Sequence, residues 1–418
     1  MRPEDIRPAL GFDDIGLACS DSTNIRSRKE VDISTKISKN HALKIPLISS
    51  PMDTVSDVEM CIALNKLGAA GVLHRFMPIS DQVEKAKKIK EESGKCYVAI
   101  GLKDYHERMD ALNMFWRASP GPDIVDVAFL DTANGSSIAI EEFMRYLKDI
   151  SGTRCDLIIG NTQTKSSVKR AINLGADGVR HGIGIGSQCI TSVQTGIECP
   201  PVTSLYYGWK AVRNDFLERS DIADPSSTAG WAFMNRLNNF QLDSISLLLD
   251  GGIREPRDLV KAIACGADAV ISGSIFAGTD EASGNLYVKY KSEIIPETKF
   301  RIQLYEETAT DITRDRNWEY FVEKKLKDME KYKRYRGMAS QGVIEDYKIW
   351  DGEEKNRFVE GKESLVSCKG PVEKVVHEYV NGLKSAMSYL GYSKLDELKG
   401  SIWTGDTIAV RLSKTVEK

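Results

Sequence analysis

Residues 44–50, 69–75, 96–102, 124–131, 156–161, 177–182, 245–250 and 268–274 are short runs rich in Val, Ile, Leu and Ala. Apolar runs of this length without polar alternation fit strands covered on both faces. Segments with helical spacing lie between most of them, among them 81–91, 137–148 and 256–265. Near the C-terminus, Val376, Tyr379, Val380, Leu383 and Met387 recur at helical spacing. They predict a helix over 372–389 with its apolar stripe packed on the rest of the chain. Eight strands alternating with helices predict an α/β chain folded as a (β/α)8 barrel, with a doubly wound sheet as the structural alternative.

A repeated phrase strengthens the barrel. Residues 63–75, 171–182 and 262–273 share one pattern, a helical turn ending at glycine and then an apolar run. Gly68, Gly175 and Gly266 stand where a left-handed residue closes a helix.

Length then asks what surrounds the barrel. The chain has 418 residues, and a barrel takes about 250. We read residues 1–418 as one decorated barrel, with insertions near 204–242, after strand six, and 287–334, after strand eight. The charged run 324–335 has the spacing of an exposed helix with i,i+4 pairs. A mobile active-site flap is expected over about 341–362.

Composition excludes several classes. The apolar fraction is 41% and the charged fraction 28%, ordinary for a globular chain. Lys and Arg total 57 against 60 Asp and Glu, net charge −3, so no basic excess marks a nucleic-acid footprint. No window has 18 uninterrupted apolar residues, which argues against a membrane span. The charged residues 1–14 do not resemble a secretory signal. Eight cysteines include no C-x-x-C pair, which fits a reducing, cytoplasmic setting.

Candidate chemistry gathers at the C-terminal ends of the strands, where barrels place their sites. In the loop 182–196, Gly182, Gly184 and Gly186 precede Cys189, flanked by Ser187 and Thr191. Such a loop can aim carbonyls at a cation or amides at an anion. Cys189 is either a nucleophile or an incidental loop thiol. Asp250-Gly251-Gly252 and Gly273-Ser274 end two successive late strands. With a following helix N-terminus their amides suit a phosphate. Asp250 is either an acceptor for ribose hydroxyls or a helix cap. His74 reads as a structural residue.

These phrases together resemble the IMP dehydrogenase/GMP reductase family. The matching segments are SPMDTVS at 50–56, His74-Arg75, DTANGSS at 131–137, Ile159-Gly160-Asn161, GIGIGSQCIT at 182–191, LDGGIR at 249–254, GSIFAG at 273–278, YRGMAS at 335–340, Glu360-Gly361-Lys362 and Lys369-Gly370-Pro371. The resemblance implies that Cys189 attacks C2 of a purine nucleotide and forms a thioimidate-type adduct. It implies a 5′-phosphate held by Ser187, Gly252, Gly273, Ser274 and Tyr335, and a ribose held by Asp250. Gly337, Met338 and Glu360 would contact the base, with Ser50, Met52, Asn161, Arg357 and Gly361 completing the substrate pocket. Asp131, Thr132, Ala133, Asn134 and Gly135 would face a nicotinamide cofactor. Carbonyls of Gly184, Gly186 and Cys189 would form a monovalent-cation site, with K+ as the candidate ion. The resemblance also implies a homotetramer.

Two branches share the adduct. A dehydrogenase oxidises IMP with NAD and hydrolyses the adduct to XMP, using an Arg-Tyr pair on a mobile flap. A reductase expels ammonia from GMP and delivers hydride from NADPH. Here 341–358 contains Tyr347 and Arg357 but no adjacent Arg-Tyr. Arg75 leads through one helix to residue 96, leaving no room for the cystathionine-β-synthase-type regulatory repeats that dehydrogenases usually insert there. The reductase is the preferred reading, with Thr191 and Glu360 moving the proton onto the departing amine. Lys362 reads as a solvated charge. Arg180-His181 stands where Lys-Val is more usual, Ile185 replaces a common proline, and Gln188 is unusual. These departures keep a deoxy or modified guanine nucleotide open as substrate. An inactive purine-nucleotide-binding homologue is the alternative from another class.

Overall fold

Each apolar run is too short to persist as a helix and has no polar face, so burial between two layers is its favourable state. The computed structural model describes residues 9–114, 123–149, 153, 155–219, 245–308, 318–347 and 359–412. In it the eight runs form β1 (Leu47–Ser49), β2 (Ala70–Leu73), β3 (Tyr97–Ile100), β4 (Val127–Asp131), β5 (Asp156–Thr162), β6 (Gly178–His181), β7 (Ser246–Asp250) and β8 (Ala269–Ser272). All pair in parallel, and β8 returns to β1 to close the barrel, with Ile271 opposite Ile48. The chain is therefore a (β/α)8 barrel, and the doubly wound alternative is excluded.

The intervening helices are α1 (Val58–Leu67), α2 (Ile79–Ser93), α3 (Tyr105–Ala111), α4 (Ile138–Asp149), α5 (Lys165–Leu174), α6 (Pro201–Arg219) and α7 (Pro256–Ala264). The repeated glycines adopt the left-handed backbone that ends a helix, with φ of 89° at Gly68, 97° at Gly175 and 104° at Gly266. Ile48, Val72, Tyr97, Phe129, Ile158, Leu248 and Ile271 fill the barrel interior. A small antiparallel pair, Thr35–Lys36 with Ala42–Leu43, adds Ile37 and Leu43 to that cluster. The N-terminal end of the barrel is thereby closed, and the site lies at the other end.

The surplus outside the barrel differs in detail from the sequence reading. Residues 204–219 belong to α6, which serves as the sixth barrel helix. Its Trp209 packs so closely on Gly266 and Gly400 that a Cβ at either would lie within 2.4 Å of the indole. The rest of that expected insertion, 220–242, lies outside the described residues. After β8 come β9 (Leu286–Tyr290), β10 (Glu293–Pro296), α8 (Glu297–Thr308), α9 (Trp318–Lys327), β11 (Lys331–Arg336), α10 (Gln341–Asp346) and β12 (Glu363–Ser367). The four strands form an antiparallel sheet in the order β10-β9-β11-β12. Val288, Ile295, Phe300, Leu304, Val322 and Leu326 give it a small core of its own with α8 and α9.

The charged run 324–335 is therefore not one helix. It is helical to Lys327 and then enters β11, because Tyr332 and Lys333 find ladder partners on both sides, in β9 and β12. Pairing across the sheet outweighs the charge spacing that suggested a helix. Finally α11 (Val372–Leu390) buries Val376, Tyr379, Leu383 and Met387 against α7 and α1, in the position of the eighth barrel helix.

Candidate active site

Glycine-rich strand ends let neighbouring loops approach one another closely. A Cβ on Gly251 would stand 3.0 Å from Gly186, and one on Gly337 would stand 2.8 Å from the Gln188 carbonyl. The result is a cavity of about 310 Å³ at the C-terminal end of the strands. Ser50, Met52, Asp131, Thr132, Ala133, Asn161, Gly184, Gly186, Ser187, Cys189, Thr191, Asp250, Gly252, Gly273, Ser274, Tyr335, Gly337, Met338, Glu360 and Gly361 all line it.

Cys189 stands at its wall. The thiol donates to Thr191 Oγ1 at 3.2 Å, and Thr191 Oγ1 donates to Glu360 Oε2 at 2.7 Å. The two partners come from distant parts of the chain. They are joined by a short antiparallel ribbon: Ile190 N donates to the Glu360 carbonyl at 2.8 Å, Lys362 N donates to the Gln188 carbonyl at 3.0 Å, and Cys189 lies opposite Gly361. On the other side of the ribbon, Glu360 N and Gly361 N donate to the Ala339 carbonyl, each at 3.1 Å.

Among the other cysteines, Cys61, Cys96, Cys155 and Cys265 are buried in the core, where desolvation pushes every thiol up, Cys96 and Cys265 to about 12. They are inert packing groups at neutral pH.

Elsewhere in the cavity, four charged side chains form an alternating chain. Arg75 Nε donates to Asp131 Oδ2 at 3.1 Å and Arg180 Nη1 to Asp131 Oδ1 at 2.7 Å. Arg180 Nε then donates to Asp250 Oδ2 at 2.9 Å, which also accepts from Asn161 Nδ2 at 2.6 Å. Asn161 Nδ2 is anchored in turn on the Gly182 carbonyl at 2.7 Å. Burial pushes the Asp131 carboxyl up, but the Arg180 and Arg75 guanidiniums outweigh it and hold it below the usual carboxylate range. Burial likewise pulls Arg180 down, and Asp250 and Asp131 more than restore it.

On the same loop as Cys189, Ser187 Oγ lies 3.1 Å from Tyr335 Oη, whose ring abuts Gly273, with the left-handed Gly251 and Gly252 also lining the cavity. Burial pushes the Tyr335 phenol up to about 12, so it is a hydroxyl donor at neutral pH. These hydroxyls and the glycine-rich backbone beside them make a cradle for an anion. No helix follows Gly273-Ser274 directly, contrary to the expected helix N-terminus there. A tight turn follows instead, with Lys369 Nζ donating to the Ser274 carbonyl at 2.7 Å.

Two residues of the expected cofactor turn lie outside the cavity wall. Asn134 Oδ1 accepts from Ser136 N at 2.9 Å and shapes the turn. Gly135 backs onto β5, where a Cβ would meet the Asn161 carbonyl at 2.7 Å. Arg357 lies outside the described residues. His74 is buried, its ring accepts from Phe76 N at 3.2 Å, and desolvation pulls it down to about 4. Lys362 is exposed. Gly186 directs its carbonyl to Cys189 N at 3.1 Å. Arg75 and Arg180 were not among the expected site residues. The available signal was an arginine at the end of each of two barrel strands.

Comparison with known proteins agrees with this geometry. The IMP dehydrogenase / GMP reductase domain matches residues 9–295 and 319–412. The inosine-5′-monophosphate dehydrogenase of Cryptosporidium parvum is 31% identical, over 95% of this chain and 92% of its own. The GMP reductase of Streptococcus agalactiae is 29% identical, over 96% and 98%. The inosine-5′-monophosphate dehydrogenase of Borreliella burgdorferi is 28% identical, over 94% and 92%. Relatives of both names thus match at similar identity along nearly the whole chain.

Proposed function

The chain belongs to the IMP dehydrogenase/GMP reductase family, and from that premise we propose that it deaminates GMP reductively to IMP and ammonia with NADPH. The observation that carries this reading is the continuous hydrogen-bond chain from the Cys189 thiol through Thr191 to the Glu360 carboxylate.

The relay does two things. It carries the thiol proton to Glu360 as sulfur bonds to C2 of the purine, leaving the nucleophile as thiolate. It then returns a proton to the exocyclic amine, because nitrogen leaves C2 as ammonia and not as amide ion. The C–N bond breaks and a thioimidate on Cys189 remains. Hydride added at C2 then lets the C–S bond break, releasing IMP and the thiolate. Overall GMP, NADPH and two protons give IMP, NADP and ammonium. Asp131 and Asp250, with Arg75 and Arg180, give one side of the cavity a balanced set of charges, and the Arg75 guanidinium lies 4.5 Å from the Phe76 ring centre. This flat aromatic and cationic surface suits a nicotinamide nucleotide, which supplies the hydride when bound. Anion-cradling groups at Ser187, Gly252, Gly273, Ser274 and Tyr335 suit the 5′-phosphate.

The dehydrogenase reading draws on relatives of that name at comparable identity. Against it stands the absence of an adjacent Arg-Tyr pair in 341–358, since hydrolysis of the adduct needs a base to activate water. The purified protein mixed with GMP and NADPH tests the proposal: loss of absorbance at the nicotinamide band with formation of IMP is expected. Production of NADH from IMP and NAD, with none from the reductive assay, would overturn it. No turnover in either direction would favour a binding protein.

A further inference from the structure

Resting on the reading of the cradle around Ser187 and Tyr335 as the seat of the 5′-phosphate, we propose that Lys369, which does not line the cavity, is the cradle's counter-charge and the residue that positions its backbone. A phosphate monoester carries a charge of about −1.5 to −2 at neutral pH. The cavity that would receive it has little cationic charge to spare. Its lining includes two arginines, Arg75 and Arg180, against three carboxylates, Asp131, Asp250 and Glu360, a formal charge of −1 among the described residues. Both arginines are bonded to Asp131, and Arg180 to Asp250 as well. An anion in the cradle therefore needs a cation from behind the wall.

Lys369 is in place to supply it. Its Nζ donates to the Ser274 carbonyl at 2.7 Å and to the Ile275 carbonyl at 3.1 Å. These carbonyls belong to the turn that leaves β8, which Ala277 N closes on the Gly273 carbonyl at 2.8 Å. In a trans peptide the N–H points away from the C=O. The peptide units whose oxygens face the ammonium thus turn their N–H groups back toward the strand end. Ile275 N accordingly donates to Ser272 Oγ at 3.5 Å, and Ser272 lines the cavity with Gly273 and Ser274. A cation on the carbonyl side polarises such units in the sense that favours an anion on the other side.

The backbone fixes the lysine at this spot. Lys369 N donates to the Gly278 carbonyl at 2.8 Å, and Asp280 N donates to the Gly370 carbonyl at 2.9 Å. The link from β12 to α11 is thereby laid along the end of the turn. Gly278, at a φ of 85°, lets it come close: a Cβ there would meet the Ser367 carbonyl at 2.5 Å. Among the described residues no ion pair takes up the Lys369 charge, and Glu378 acts on it only at longer range. The ammonium is held by neutral carbonyls alone, so its charge is left for the phosphate.

Calorimetric titration of the full chain with GMP, IMP and guanosine, which lacks the phosphate, tests this. Lys369→Met should raise the Kd of either nucleotide about tenfold and that of guanosine less than about twofold. K369R keeps the charge and should bind GMP within about threefold of the unaltered chain. Equal weakening of GMP and guanosine would make Lys369 a structural residue, and unchanged GMP binding would remove it from the site; either result overturns the inference. The loss in K369M should also shrink between about 0.05 M and about 0.5 M salt, where charge is screened. A loss indifferent to salt overturns the counter-charge. Partial unfolding lowers the binding stoichiometry and leaves Kd as it is. Failure of both GMP and IMP to bind the unaltered chain would sink the proposed function and this inference with it. Oxidation of IMP in place of reduction of GMP would change the reaction and leave the role of Lys369 as measured.

Discussion

The two ends of the barrel use the same residue type in opposite ways. At the N-terminal end, aspartates at the starts of strands bond donors of the packed barrel. Asp126 accepts from Cys96 N at 2.7 Å, Asp177 from Leu157 N at 2.9 Å, and Asp268 from Leu247 N at 2.8 Å and Lys399 Nζ at 2.6 Å. Asp156 accepts from Ser38 Oγ, Asn40 N and Asn40 Nδ2, all within 2.8 Å. At the C-terminal end Asp250 and Glu360 line the cavity, where among the described residues no donor bonds Asp250 Oδ1 and Glu360 meets a thiol through one hydroxyl. What separates the two groups is what they face: Asp250 and Glu360 line the cavity, whereas the N-terminal aspartates pack against backbone and neighbouring side chains. His181 sharpens the point. It ends a barrel strand as the site residues do, yet its ring is spent on Thr162 Oγ1 at 3.0 Å and the Ser204 carbonyl at 2.8 Å.

Cys189→Ala is the strongest way to break this comparison. Turnover should fall by at least about 10⁴-fold, while thermal unfolding moves little. Retained activity would remove the covalent mechanism. Glu360→Gln keeps the shape of the relay and removes its charge. It should cost about 10²- to 10³-fold in kcat, with the nucleotide KM changed only a few-fold. A loss confined to KM would make Glu360 a binding group alone.

At the other end, Asp156→Ala should lower stability by about 3 kcal/mol, since it orphans the donors of Ser38 and Asn40. Activity per folded molecule should be unchanged, and a kcat effect would connect the two ends. The smallest effect is a pH slope. Burial pulls His181 to about 4 from an ordinary 6.5, so between those values the unfolded chain binds the extra proton. Stability should therefore fall as pH drops below 6.5, by about 1.4 kcal/mol per unit for this ring, until the folded form titrates near 4. Denaturant unfolding of His181→Gln at pH 7 and pH 5 should show that much less slope; an undiminished slope would place the titration elsewhere.

How far the sequence revealed this molecule follows from the range of the forces involved. The eight strands were legible because Val, Ile and Leu runs between glycines state their burial locally. Cys189, Thr191, Asp250 and Glu360 were legible because their phrases are distinctive. The Arg75–Asp131–Arg180–Asp250 chain was not, because four strands must converge before those charges meet. The run 324–335 misled for a related reason: its spacing satisfies a helix, and only β9 and β12 on either side make part of it a strand. Asn134 and Gly135 belong to a recognisable phrase, yet one shapes a turn and the other admits a neighbouring backbone.

The ribbon that joins Cys189 to Gly361 has a consequence for how such an enzyme can change. Tyr347 is tied by its hydroxyl to Asp53 at 3.3 Å, and Glu360 is pinned by backbone bonds on both sides. The stretch between them is thus fastened at each end independently of its own composition. Its length can be altered at the modest cost of loop closure, while the acid stays where the thiol needs it. Evolution, or an engineer, is free to rewrite that segment's sequence while the bonds that hold Glu360 beside Thr191 stay in place.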